Sequence, residues 1–87
     1  MRGITETGFE FEIDDEVLDD YEVMEDLCAL DCGKVAIFPQ AIEKILGKEQ
    51  LIKLKDHVRN DKGKVSTTAL MKEFTNILNS NQPGKNS

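Results

Sequence analysis

The side chains that could perform chemistry are few in this 87-residue chain: two cysteines, one histidine and seventeen acids. Cys28 and Cys32 lie four residues apart, a spacing that puts two thiols on one helix face or offers two ligands to a metal ion. A structural zinc site usually has four ligands, and His57 is the only histidine that could join them. We therefore expect two reduced, mostly buried thiols, with no metal ion and no cofactor.

Two further kinds of chemistry are disfavoured by the residues present. If Gly63 were the invariant glycine of a calcium-binding EF-hand, the loop would run from Val58 to Ala69, and neither end supplies the required acid. This segment is expected to be a helix–turn–helix connection. Nothing in the sequence indicates a residue that would orient His57 beside a cysteine for nucleophilic catalysis. The twelve acids within residues 1–33 are typical of a solvated surface and not of a catalytic pair of carboxylates. The sequence predicts a protein that is not an enzyme.

Charge is divided unevenly along the chain. Residues 1–33 contain twelve acids and one base, for a net charge of −11, whereas residues 34–87 contain ten bases and five acids, for +5. Either the acidic part packs on the basic part, or the charge steers association with a partner protein. The overall charge of −6 argues against binding nucleic acid, which depends on basic residues.

The apolar pattern predicts a mainly α fold, with one short N-terminal strand before about four short helices. Residues 8–13 alternate apolar and acidic side chains, which is typical of a half-buried strand. This strand must pair within the chain or with a second copy, because an open strand edge invites strand addition. Apolar stripes at helical spacing, with capping residues and glycine stops, predict the helices over residues 19–31, 38–46, 48–58 and 66–79.

The domain organisation expected from this pattern is a single small domain. Residues 1–7 are predicted to be a flexible N-terminus, residues 8–79 the helical domain and residues 80–87 a disordered polar tail. A chain of this length buries a modest share of its surface, so we expect it to form a homo-oligomer or to gain stability from a partner. No apolar run approaches the roughly 20 residues of a membrane span, and no secretory signal begins the chain, so we expect a cytoplasmic protein that does not bind membranes.

Seven apolar side chains from the strand and from the second and fourth predicted helices are the candidates for protein binding. Their ordinary role would be core packing. They are Phe9, Phe11, Ile13, Phe38, Ile42, Phe74 and Ile77.

Several short motifs, in their order and spacing, resemble the small tail assembly chaperones of long-tailed phages and prophages, especially those of Gram-positive bacteria. The resemblance covers roughly residues 8–80. Its motifs are GFEFEID at residues 8–14, DDYE at 19–22 leading to Leu27 and Leu30-Asp31, LGKEQ at 46–50, and GKVS at 63–66.

The resemblance implies a viral protein that binds the tape measure protein, keeps it soluble and helps to recruit tail tube subunits around it. It also implies a location in the host bacterial cytoplasm and absence from the mature virion. Many such chaperones have a longer form made by ribosomal frameshifting. The codons of Gly84–Asn86 could form a slippery site, and this chain would then be the unshifted product. The alternative function is an acidic regulatory or inhibitor module that mimics nucleic acid and binds a basic protein through regularly spaced carboxylates.

Overall fold

A computed structural model describes residues 1–80, in which a two-stranded sheet is followed by five α-helices. Of the predicted tail, all but Ser80 lies outside the described residues, and so does the proposed slippage site. A 3-10 turn at Val35–Ile37 connects the second and third helices. The elements are β1 (Arg2–Ile4), β2 (Glu10–Glu12), α1 (Asp15–Leu18), α2 (Tyr21–Asp31), α3 (Phe38–Leu46), α4 (Lys48–Val58) and α5 (Thr67–Asn79).

The predicted mainly α fold class is confirmed, and the structure adds one helical turn that the sequence did not predict. This turn, α1, ends at Leu18, and α2 begins at Tyr21 because Asp20 caps it. The Asp20 carboxylate accepts a hydrogen bond of 2.8 Å from the backbone N–H of Glu22. The predicted cap of the last helix is also present, since Ser66 Oγ accepts a hydrogen bond of 3.2 Å from the Ala69 N–H.

The N-terminal segment differs from its prediction, because part of the segment 1–7 forms strand β1. It pairs antiparallel with β2, and Gly3 lies opposite Phe11. The Phe11 ring packs directly over Gly3, where a Cβ atom would come within 2.7 Å of Phe11 Cζ. The strand of residues 8–13 therefore pairs within its own chain. The partner strand was missed because Ile4 is its only large apolar residue, and Ile4 points to solvent.

The connection between α4 and α5 is the predicted helix–turn–helix, built around one asparagine. Asn60 Oδ1 accepts hydrogen bonds from the backbone N–H groups of Lys62 and Lys64, at 2.9 and 3.0 Å. The Asn60 backbone bonds to Lys64 and Gly63 as well, and Arg59 and Val65 form an isolated bridge. Among residues 58, 60 and 62, the first three ligand positions of a calcium loop, only Asn60 has a side-chain oxygen, and that oxygen is occupied in holding the turn closed.

The core collects side chains from the hairpin and from α2, α3, α4 and α5. The most deeply buried large residues are Ile13, which directly follows β2, and one residue each from α3, α4 and α5: Ile42, Leu54 and Ile77. Because every one of these elements supplies a central residue, the hairpin and the helices share a single core. No helix within residues 1–80 is long and apolar enough to cross a membrane.

One ion pair joins α2 to α3. Lys44 Nζ lies 2.8 Å from Asp26 Oδ2, and the Asp26 side chain is largely buried. The hydrogen bond that Lys44 donates to Asp26 raises the pKa of Lys44, desolvation opposes this shift, and the negative charges of Asp26, Glu22 and Asp20 add to it. Among the described residues, Asp26 is the only acid of residues 1–33 that pairs with a base later in the chain. Packing of the acidic part on the basic part therefore accounts for little of the charge asymmetry.

Candidate protein-docking groove

An apolar groove, open to solvent, runs between α2 and α5. Its floor is formed by Phe38 and Phe74, whose rings pack edge to face with centroids 5.4 Å apart. Met24 lies on the α2 wall, and Met71 and Leu78 lie on the α5 wall. The groove has a volume of about 510 Å³, which is within the range of roughly 300–1,000 Å³ typical of ligand clefts. We refer to it below as the α2–α5 groove.

The rim of the α2–α5 groove carries large apolar side chains that the fold does not bury. Met24 and Val35 line the groove and are 53% and 60% exposed. Tyr21, one turn before Met24, is 65% exposed. Exposed apolar residues that cluster beside a groove mark a protein interaction site more specifically than single exposed residues do.

This exposure follows from the presence of two apolar stripes on α2. Val23 and Leu27 face the core, whereas Tyr21, Met24 and Cys28 form a second stripe at spacings of three and four residues. A helix on the surface of a small domain needs only one apolar face to bury. The second stripe was present in the sequence, but spacing alone did not show which of the two faces the core.

The α2 wall of the groove contains one acid and no base. Residues 14–32 contain nine acids and no base. Asp31 lines the groove itself, and Glu25, between Met24 and Cys28 in sequence, lies on the exposed side of the rim.

The α5 wall is apolar and uncharged where it meets the groove. Met71, Thr75 and Leu78 line it, whereas the exposed Lys72 lines a neighbouring cleft that shares Met71 and Thr75. The single acid of α5, Glu73, is buried on the opposite side. The groove therefore has one acidic wall and one neutral wall.

The seven residues predicted for protein binding are all buried in the core. Phe38 and Phe74 also form the floor of the α2–α5 groove, whereas the other five do not line it. The physical reason for their burial is that the most apolar residues of each stripe are the ones that folding removes from water first. The buried set is Phe9, Phe11, Ile13, Phe38, Ile42, Phe74 and Ile77.

A second cluster of polar side chains joins the β1–β2 loop to α4 and α5. Thr7 Oγ1 donates a hydrogen bond of 2.6 Å to Glu73 Oε2 and lies 2.9 Å from His57 Nε2. Since the hydroxyl hydrogen is used for Glu73, we assign His57 Nε2 as the donor to Thr7. Glu73 Oε1 is buried without a hydrogen-bond partner, and the Phe9 ring lies 5.5 Å from the imidazole. The cluster fixes the loop to the helices, and the α2–α5 groove does not include any of its residues.

The two cysteines are exposed, which corrects the expectation that they are mostly buried. Cys28 lines the α2–α5 groove, and Cys32 caps the C-terminal end of α2 outside it. Within residues 1–80, no three side chains of the histidine, cysteine or acidic types are grouped to hold a metal ion.

Comparison of the chain with protein-family models, curated proteins and solved structures finds no match. The motif resemblance and the geometry of the groove are the observations from which a function can be proposed.

Proposed function

We propose that the protein is a phage tail assembly chaperone that binds the tape measure protein, keeps it soluble and helps to recruit tail tube subunits. It acts in the cytoplasm of the host bacterium and is left out of the mature virion. The observation that carries the proposal is the ordered set of motifs over residues 8–80 that resembles this family.

Contacts between the motifs support this use of the resemblance. Gln50, in the motif at residues 46–50, donates hydrogen bonds to the carbonyl oxygens of Glu12 and Leu46, at 2.6 and 2.7 Å. Its Oε1 accepts a hydrogen bond of 2.7 Å from the Glu12 N–H. The first and third motifs are thus in contact at one point of the fold. This contact gives a structural reason for the two motifs to occur together in one chain.

The α2–α5 groove supports the same proposal from the surface of the protein. A chaperone for a long helical client needs an apolar surface that a helix can cover, together with charge that keeps the complex in solution. The groove offers both features side by side, with the exposed Met24 and Val35 next to the acidic residues of α2.

Co-expression tests the proposal. The tape measure protein of the same phage genome is produced alone and together with this protein, and its soluble fraction after centrifugation is measured. We expect the wild-type protein to raise that fraction. The variant Met24→Ser with Val35→Ser should lose most of the gain, whereas Ile52→Ser, a matched control as exposed as Met24 but outside the groove, should keep it. A client that is equally insoluble with and without the wild-type protein would contradict the proposal.

The alternative, an acidic inhibitor that mimics nucleic acid, depends on carboxylates alone. It predicts that the Met24→Ser, Val35→Ser variant inhibits a basic target protein as well as the wild type does. It also predicts that neutralising Asp19, Glu22 and Glu25 abolishes this inhibition. The same set of variants therefore separates the two functions.

A further inference from the structure

We infer that the α2–α5 groove binds an amphipathic helix whose apolar face is flanked by lysine or arginine along one edge. The identification of this helix as a segment of the client rests on the proposed function. The binding chemistry itself rests on the shape, exposure and charge of the groove.

The length of the groove sets the spacing of the apolar residues in the bound helix. Its lining runs from Met24 to Asp31 on α2 and from Met71 to Leu78 on α5, so the end residues of each wall are seven positions apart. At about 1.5 Å per residue this is roughly 10 Å, or about two helical turns. A helix lying between the walls would therefore place three apolar residues in the groove at positions i, i+4 and i+7.

The two walls set the charge of the bound helix. On the α2 side it meets Asp31, with the exposed Glu25 next to Met24, and no base lies within residues 14–32. On the α5 side it meets Thr75 and no exposed acid. Basic residues are thus favoured on the edge facing α2, and acidic residues there would face like charge at short range. The edge of the bound helix that faces α5 needs no charge, and uncharged polar residues fit there.

Segments of the chain itself are poor occupants of the groove. Residues 81–87 contain Pro83 and no large apolar side chain, so they offer nothing to fill it. In a second copy, α1 and α2 are acidic and would repel the α2 wall. Among the other described α-helices, Ile52 on α4 is the only exposed large apolar residue. One such residue cannot occupy two turns of groove, so a helix from another protein is the better fit.

The two cysteines allow the occupied groove to be detected directly. Cys28 lines the groove and Cys32 does not, and both are exposed. The rate of maleimide labelling is measured for Cys28 in the Cys32→Ser variant and for Cys32 in the Cys28→Ser variant. The probes are three synthetic peptides of about four helical turns. One has leucines at i, i+4, i+7 and i+11 flanked by lysines, the second has glutamates in place of the lysines, and the third is a scrambled form of the first.

We expect the lysine peptide to slow the labelling of Cys28 by about tenfold at saturation and to leave the labelling of Cys32 within about twofold. Its Kd, measured by fluorescence anisotropy, should rise about tenfold in the Met24→Ser, Val35→Ser variant and stay unchanged in Ile52→Ser. Replacing Glu25 with Gln and Asp31 with Asn should weaken binding and reduce its dependence on salt.

Four results would overturn the inference: no protection by the lysine peptide, equal protection by the glutamate peptide, equal protection by the scrambled peptide, or protection of Cys28 that grows with protein concentration in the absence of peptide. The last of these would identify a second copy as the occupant. If the peptides fail while co-expression still solubilises the tape measure protein, the groove is the wrong site and the proposed function stands. If the lysine peptide binds as expected and co-expression fails, the groove inference stands without that function.

Discussion

Truncation of Ile77 to alanine separates a core role from a docking role for this residue. Ile77 is fully buried on α5, where it packs into the same core as Leu54. The substitution removes three carbon groups, at about 0.8 kcal/mol each for transfer from water, or about 2.4 kcal/mol. The unfilled space adds a cavity cost, which brings the expected loss of unfolding free energy to about 2–5 kcal/mol. Ile77→Val, which removes one group, should cost about 0.5–1.5 kcal/mol.

The loss is large compared with the stability expected for a chain of this size. At roughly 0.05–0.15 kcal/mol per residue, 87 residues correspond to a total of about 4–13 kcal/mol. Each kcal/mol lost lowers the melting temperature of such a domain by about 4–8 °C, so Ile77→Ala should melt at least about 8 °C lower. Thermal melts and urea titrations followed by circular dichroism measure both quantities.

Ile52→Ala is the matched control, because it makes the same change on a helix surface where the side chain is mostly exposed. Its effect should stay within about 0.5 kcal/mol. The reasoning is refuted if Ile77→Ala melts like the wild type, since the residue would then contribute little to the core. A loss of peptide binding by a variant of unchanged stability would instead assign Ile77 to the docking surface.

Two other predictions concern the ion pair and the hairpin. Because the pKa of Lys44 is raised by Asp26, the charge of Lys44 stabilises the fold fully below the unfolded pKa of about 10.4 and loses its effect as pH rises through the folded value. The difference in melting temperature between wild type and Lys44→Gln should therefore be constant from about pH 7 to 10 and shrink above that range; a difference independent of pH would contradict it. Gly3→Ala should cost about 1–3 kcal/mol, since its Cβ would meet the Phe11 ring. In a double-mutant cycle this cost should fall when Phe11 is replaced by leucine, and strictly additive costs would show that the ring is not the obstacle.

The four longer helices, α2 to α5, could be predicted because each carries its own local signal. The apolar spacing of α3 and α5, together with the cap at Ser66, depends only on residues within a few turns. Strand β1 has no such signal. Its pairing depends on Phe11 fitting over Gly3, a contact between residues that no periodicity connects.

The candidate site could be predicted less well than the fold. Spacing identifies apolar stripes, but the division between core and surface depends on how the helices pack. On α2, this packing buries Val23 and exposes Tyr21 and Met24, although all three are apolar and lie on the same helix. Prediction of the groove would have required the positions of α2, α3 and α5 relative to one another, which are part of the tertiary structure and are not given by residue spacing.

The attachment of the β1–β2 loop has a consequence for synthesis of the protein on the ribosome. The loop is held by Thr7 to Glu73, 66 residues later, and by the Glu6 N–H to Asn76 Oδ1, 70 residues later. Phe9 and Phe11, near the start of the chain, share their core with Ile77 near its end. The hairpin is made before α5, so its attachments to Glu73, Asn76 and Ile77 form only after α5 has been synthesised. During that interval the nascent chain displays its most acidic segment, whose mutual repulsion opposes premature aggregation.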